Sequence, residues 1–185
     1  MKKERYDIPT DILEMIKTYG KVRSLKPLQV LIPVGSRCNS IFIVKKGGLL
    51  KRFYNEKRGL SRTISFHLPN HRPVVTIAES YYQDKPSLYD IKAFEYSEVY
   101  ELKKEFIDQK IQDDIFLKAF YDQKVINILI YENELKSRLI SYSSRELYDY
   151  LINEHPAIIK SVPSKYIAEF MCISPEWLSK LKLNK

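Results

Sequence analysis

The stretch Ser161-Val-Pro-Ser-Lys-Tyr-Ile-Ala-Glu-Phe-Met-Cys-Ile-Ser-Pro-Glu-Trp-Leu-Ser-Lys-Leu-Lys182 holds two helix starts separated by a short turn. Ser164 is placed to cap a first helix in which Tyr166, Ile167, Phe170 and Met171 are apolar. Ala168 is small, which lets a second helix cross closely. Met171-Cys172-Ile173 makes the turn, and Ser174 caps the second helix. Pro175 takes its first position, where a missing N–H costs nothing. Glu176 lies in the first turn, where the helix dipole favours an acid. Leu178 and Leu181 face inward, while Glu176, Trp177, Ser179 and Lys180 face outward. A short helix whose N-terminal residues project in this way fits a major groove about 12 Å wide. A plain helical hairpin closing the fold would share the spacing, but the two caps and the small crossing residue favour a DNA-reading helix-turn-helix.

Working outward, residues 141–185 form a small helical unit. It opens with Ser144 as the expected cap of a helix through Leu147, Tyr148, Leu151 and Ile152, which Asn153 to Pro156 end. Before it, Asp113 to Ile140 contains neither Gly nor Pro and predicts a single long helix. Tyr121, Val125, Ile128, Glu132, Leu135 and Leu139 recur at heptad spacing, a seam with one polar member. Phe116, Phe120, Ile126 and Ile130 make a second apolar stripe. A helix apolar on two faces must be covered twice, which predicts a homodimer through residues 121–139; burial within one chain is the alternative.

From about Lys26 to Lys103 the pattern changes to short strands. Leu28–Ile32, Ile41–Lys46, Leu49–Tyr54, Arg62–His67, Val74–Ala78, Leu88–Phe94 and Glu98–Leu102 are rich in β-branched and aromatic residues. Turn residues such as Gly47-Gly48 and Asp84-Lys85-Pro86 separate them. Leu49 to Tyr54 alternates as a half-buried strand does. Seven or eight such strands predict a sandwich or jelly roll. A short helix over residues 7–20 precedes them. The fold class is therefore α+β: a sensor domain over 1–112, a dimerisation helix over 113–140 and a helix-turn-helix domain over 141–185.

Charge sharpens the reading. The chain of 185 residues carries a net charge of +8, which favours an anionic partner. Residues 1–110 hold 21 basic and 13 acidic side chains, whereas residues 141–185 hold six and five, so the DNA reading rests on the motif and not on charge. Met1 to Arg5 are charged and lead into no apolar run, so no signal peptide is expected. No run approaches the roughly 20 apolar residues of a membrane span. Cys38 and Cys172 read as reduced thiols in a cytoplasm. His67 and His71 flank Pro69 in a loop without a metal-binding pattern, and neither a cofactor nor a metal is expected. No acid–base pair or metal triad can be assembled, which excludes an enzyme of cupin type.

Taken together these fragments resemble the Crp/Fnr superfamily of bacterial transcription regulators, in particular its cyclic-nucleotide-domain-like members common in Bacteroidetes. The resemblance rests on Val34-Gly35, Ile41-Phe-Ile-Val-Lys-Lys-Gly47 and Leu49–Tyr54, then Glu79-Ser-Tyr-Tyr, Lys85-Pro-Ser-Leu-Tyr-Asp-Ile-Lys-Ala93 and Ser97-Glu-Val99. It continues in Val162-Pro-Ser-Lys-Tyr-Ile-Ala168, Ile173-Ser-Pro-Glu176 and Leu178-Ser-Lys-Leu181. It implies a β jelly-roll sensor, a long dimerisation helix and double-stranded DNA as partner. Ser164 and Lys165 match positions that often touch phosphate. Ser174, Glu176 and Lys180 match recognition-helix positions, and Trp177 stands where a smaller residue is usual. Cys172 replaces a frequent Gly and is tolerable only if its φ stays negative.

In cyclic-nucleotide binders of this superfamily a Gly-Glu pair holds the ribose and an Arg ten residues later holds the cyclic phosphate. Here Ala78-Glu79 replaces Gly-Glu, the Arg position falls near Pro86-Ser87, and no Arg occurs from residue 73 to 137. The resemblance thus implies a degenerate sensor that does not bind cyclic AMP, with Glu79, Lys85, Ser87 and Arg52 as candidate contacts for an unknown small-molecule effector. Lys51, Arg52, Arg58 and Arg62 either line an anion pocket or solvate a strand face. The competing function is a ligand-binding or protein-interaction jelly roll whose helix-turn-helix is vestigial.

Overall fold

The structure is a computed structural model that describes residues 8–183; Asp7, the expected start of the first helix, lies outside them. Eight strands occur among the described residues: β1 (Lys21–Leu25), β2 (Val30–Ile32), β3 (Ser40–Lys46), β4 (Leu49–Asn55), β5 (Leu60–His67), β6 (Val74–Val75), β7 (Tyr89–Ala93) and β8 (Ser97–Lys103). They form two four-stranded antiparallel sheets, ordered β1-β8-β3-β6 and β2-β7-β4-β5. Leu25, Phe42, Val44, Val75 and Val99 of the first sheet meet Leu31, Ile32, Leu49, Ile91 and Ala93 of the second in one buried cluster. The two sheets therefore pack face to face, and strand alternation sends the intervening residues outward. At the β3–β4 turn Gly47 has φ +75°, and a Cβ there would lie 2.3 Å from the Tyr96 carbonyl, so only glycine fits.

Both outer faces are covered as well. Ile43 and Leu102 of the first sheet pack with Ile16 of α1 (Thr10–Tyr19) and Ile107 of α3 (Lys104–Asp113). On the second sheet Leu50 and Phe66, with Leu68 and Phe94 just beyond β5 and β7, join a larger cluster. That cluster includes Tyr131 and Leu135 of α4 (Ile115–Ser141) and the apolar sides of α5 (Ser144–Glu154), α6 (Pro156–Ser161), α7 (Ser164–Phe170) and α8 (Pro175–Leu183). Strand β4 is consequently not half-buried as its alternation suggests: Leu49 and Leu50, on opposite faces, both have zero exposure.

Several local readings change. Strand β1 was not expected because its sequence, KVRSL, is polar; only Leu25 is buried, and pairing with β8 holds the rest. Val74–Ala78 shortens to a two-residue strand, and Ala78 instead opens α2 (Ala78–Gln83). The long helix starts at Ile115 because the Asp114 side chain accepts from the N–H groups of Phe116 and Leu117, at 2.8 and 3.0 Å. Asp113 ends α3, a helix too polar for its periodicity to show. Ser143, not Ser144, caps α5, in a reciprocal capping box with Glu146. Leu135, assigned to the dimer seam, is buried within its own chain, whereas Val125, Ile128 and Leu139 are exposed along with Ile126, Leu129 and Ile130. His67 and His71 are buried, not in an open loop. No helix among the described residues is long and apolar enough to cross a membrane.

Candidate nucleic-acid interface

Helices α7 and α8 meet through a tight turn. Met171 ends α7, Cys172 N–H donates to the Glu169 carbonyl at 3.2 Å, and Ile173 N–H donates to the Ala168 carbonyl at 3.0 Å. This pair of bonds is a Schellman motif, which places Cys172 in the left-handed region. Its φ is +55°, contrary to the negative φ that a non-glycine residue prefers. The two backbone bonds and the packing of Ile173 on the core offset that strain.

Ser174 caps α8 as expected, its Oγ accepting from Trp177 N–H at 3.1 Å. Ser164 does not cap α7. Pro163 occupies that position, and the Ser164 hydroxyl accepts from Lys182 Nζ at 2.6 Å, tying the start of α7 to the end of α8. Ala168 is buried at the crossing, and Leu178 and Leu181 fill the space beneath α8. Glu176, Trp177, Ser179 and Lys180 are exposed, with Trp177 at 47%. Lys180 Nζ lies 6.0 Å from the Trp177 ring centre, and Lys165 Nζ lies 4.7 Å from that of Tyr166. The backbone N–H of Glu176 itself, then the Ser174 hydroxyl, hold the Glu176 carboxyl below the usual carboxylate range. One exposed surface thus joins an ionised acceptor, an indole and a cation at the N-terminal half of α8. Lys182 belongs to the same edge; its place in the last turn of an amphipathic helix was the available signal.

Two of the sensor candidates, Arg52 and Ser87, are engaged by their own neighbours. Arg52 is engaged by Asp90 through two parallel hydrogen bonds of 2.9 and 2.7 Å. Ser87 is buried and closes its own turn, donating to the Tyr89 carbonyl at 2.6 Å and accepting from Tyr89 N–H at 2.9 Å. Glu79 and Lys85 are exposed on and just after α2. The neighbouring Lys51 is half-buried with its Nζ 4.4 Å from the Tyr89 ring centre, and burial lowers its pKa. A bulge between Lys51 and Arg52 interrupts the register of β4 against β5 at this point. Among the described residues no group of three or more His, Cys, Asp or Glu could hold a metal ion.

With this geometry in hand, solved structures can be compared. FixK2 from Bradyrhizobium japonicum superposes with a TM-score of 0.75 at 12% identity, over 89% of this chain and 83% of that one. The fold is shared. The Thermus thermophilus catabolite activator protein gives a TM-score of 0.58 at 15% identity, over 96% and 84%. The global regulator CLP of Xanthomonas campestris, described as responsive to c-di-GMP, gives 0.66 at 12% identity, over 95% and 91%. No family model matches the chain, and no curated protein matches it by sequence. These likenesses extend over 89–96% of the chain at 12–15% identity, and they show a shared fold.

Proposed function

We propose that the chain is a cytoplasmic, homodimeric transcription regulator of the Crp/Fnr superfamily that reads double-stranded DNA. In this reading residues 1–112 are a jelly-roll sensor, 113–140 the dimerisation helix and 141–185 a helix-turn-helix domain. The observation that carries it is the capped, exposed start of α8, with Glu176, Trp177 and Lys180 aimed away from a core built by Leu178 and Leu181. Glu176 accepts from a base edge, Trp177 contacts a thymine methyl, and Ser164, Lys165, Ser174 and Lys180 engage phosphates and the groove wall.

The dimer reading is supported by the exposed apolar run Val125, Ile126, Ile128, Leu129 and Ile130 on α4, each at least 40% exposed. The adjoining groove, about 680 Å³, runs between α4, α1 and α3 and is lined by Ile12, Phe106, Phe120 and Ile128 among others. A second α4 is the partner of matching chemistry. The sensor reading is a degenerate one: the guanidinium among the candidate contacts, that of Arg52, is committed to Asp90. An effector, if bound, meets Glu79, Lys85 and the interior amine of Lys51 rather than an arginine fork.

Selection of genomic fragments on the purified protein tests the reading. Recovery of an inverted repeat with half-sites one helical turn apart supports it. No enriched sequence at low salt rejects it in favour of an interaction module.

A further inference from the structure

All three histidines of the chain lie at one place, the junction between the sandwich and the C-terminal helices. His67 ends β5, His71 forms the isolated bridge with Leu68 just after it, and His155 links α5 to α6. Each is buried, with exposures of 4, 4 and 6%. The His71 and His155 rings meet edge to face at 5.0 Å between centres, and Tyr150 and Tyr131 pack on His155 at 5.0 and 5.7 Å. His155 Nε2 lies 2.8 Å from the Tyr150 hydroxyl. His67 Nδ1 lies 2.9 Å from the Arg72 carbonyl, which can only accept, so Nδ1 carries the proton. That leaves Nε2 to accept from the Ser65 hydroxyl at 3.0 Å, so neutral His67 is fully satisfied.

The surroundings are already cationic. Arg72 stacks over the Tyr131 ring and pairs with Glu132 of α4. Arg138 of α4 stacks over Tyr150 and pairs with Glu134, and β4 contributes Lys51. The nearby acids of α4, Glu132 and Glu134, thus already answer arginines. The same interface carries the contact of Phe66 with Phe170, 5.1 Å between ring centres, and the bond of Thr63 to Glu169.

We propose that this junction is an acid-operated latch: protonation of its buried histidines releases the C-terminal helices from the outer face of the β2-β7-β4-β5 sheet. The proposal goes beyond the DNA reading and does not depend on it. Burial foremost, then His155 and Arg72, holds His71 down to about 3. Burial and then Arg72 hold His67 well below its ordinary value. In the open form both rings regain water and titrate near 6.5. The closed form is therefore at full strength above that pH and weakens as pH falls through it, because the open form binds more protons. Each of these two histidines favours opening by about tenfold per pH unit below 6.5, roughly a hundredfold together at pH 5.5. Because α7 rests on β5, opening also frees the α7–α8 pair to reorient.

The test is small-angle scattering and far-ultraviolet circular dichroism of the full chain at pH 7.5 and 5.5. The expected result is a larger radius of gyration at pH 5.5, with helix and strand signals retained and full reversal on neutralisation. His71→Phe keeps an apolar ring without a titrating nitrogen and should reduce opening at pH 5.5 about tenfold. If that variant does not fold, potentiometric titration of the wild type serves instead, with uptake of about two protons expected across the transition. Unchanged dimensions at pH 5.5, loss of secondary structure together with expansion, a His71→Phe transition identical to wild type, or uptake of about one proton or fewer would each overturn the latch.

Discussion

Thr63 on β5 donates its hydroxyl to the Glu169 carboxylate on α7 at 2.8 Å, bridging the sandwich and the C-terminal helices across 106 residues of chain. Thr63 is only 2% exposed, so no water replaces this partner if it is lost. Glu169→Ala therefore leaves a buried hydroxyl unsatisfied and should cost about 1–3 kcal/mol in urea unfolding. Thr63→Val combined with Glu169→Leu should cost less than the two single changes together, because neither polar group is then stranded. Additive losses would show that the bond does not couple the two units.

Cys172 offers a change of opposite sign. Its φ of +55° lies where glycine has no steric penalty. Cys172→Gly should raise stability by up to about 1 kcal/mol, because relief of left-handed strain outweighs the added entropy of the unfolded chain. Thermal melts measure it. A lower melting temperature would mean that the thiol makes a compensating contact.

The sedimentation mass should be near twice 21.9 kDa if α4 pairs with a second copy. Ile128 is 43% exposed on that helix. Ile128→Asp should give a folded monomer with unchanged secondary structure, while a wild-type monomer at tens of micromolar would remove the seam.

Cyclic AMP and cyclic GMP should not bind at cellular levels, since the two N–H groups that would grip a phosphate from Arg52 are held by Asp90. Calorimetry checks this. Asp90→Ala should instead destabilise the sandwich by roughly 3 kcal/mol, because a largely buried guanidinium loses its partner. Micromolar cyclic-nucleotide binding by the wild type would require another cation, and Lys51 and Lys85 are the candidates.

If α8 reads DNA, Lys165 and Glu176 should separate affinity from specificity. Lys165→Ala should weaken binding to all sequences alike and flatten the salt dependence by about one phosphate contact. Glu176→Ala should relax specificity at one base pair per half-site by about 1–3 kcal/mol and spare non-specific affinity. Its carboxyl is held below the ordinary range, so it stays ionised through neutral and mildly acid pH and this discrimination should not titrate away there. Fluorescence titrations at two salt concentrations read both effects.

Much of this was legible in the sequence because local physics dictates it. The Ser174 cap, the Pro175 helix start and the inward pair Leu178 and Leu181 follow from hydrogen-bonding capacity and helical period alone. So do the strand runs whose β-branched residues alternate. Strand β1 and helix α3 escaped because their residues are mostly polar and their stability comes from what they pair with or lie on. The φ of Cys172 escaped because a Schellman turn forces it through backbone bonds that no side chain announces.

The sequence by itself determined that seven or eight short strands precede a long helix and a closing helical pair, since each of those patterns is set within a few residues. Only the tertiary structure decided which sides of those elements are covered. Leu135 falls on the predicted partner-facing seam, yet it lies with Leu50 in the cluster that joins the sandwich to the C-terminal helices. The same packing turned Arg52 from a candidate ligand contact into half of an ion pair and gathered three histidines, spread over 88 positions, into one dry junction. Periodicity specifies which residues share a face of an element. What that face meets depends on contacts between residues far apart in the chain, whose energies are fixed only once the whole core has closed.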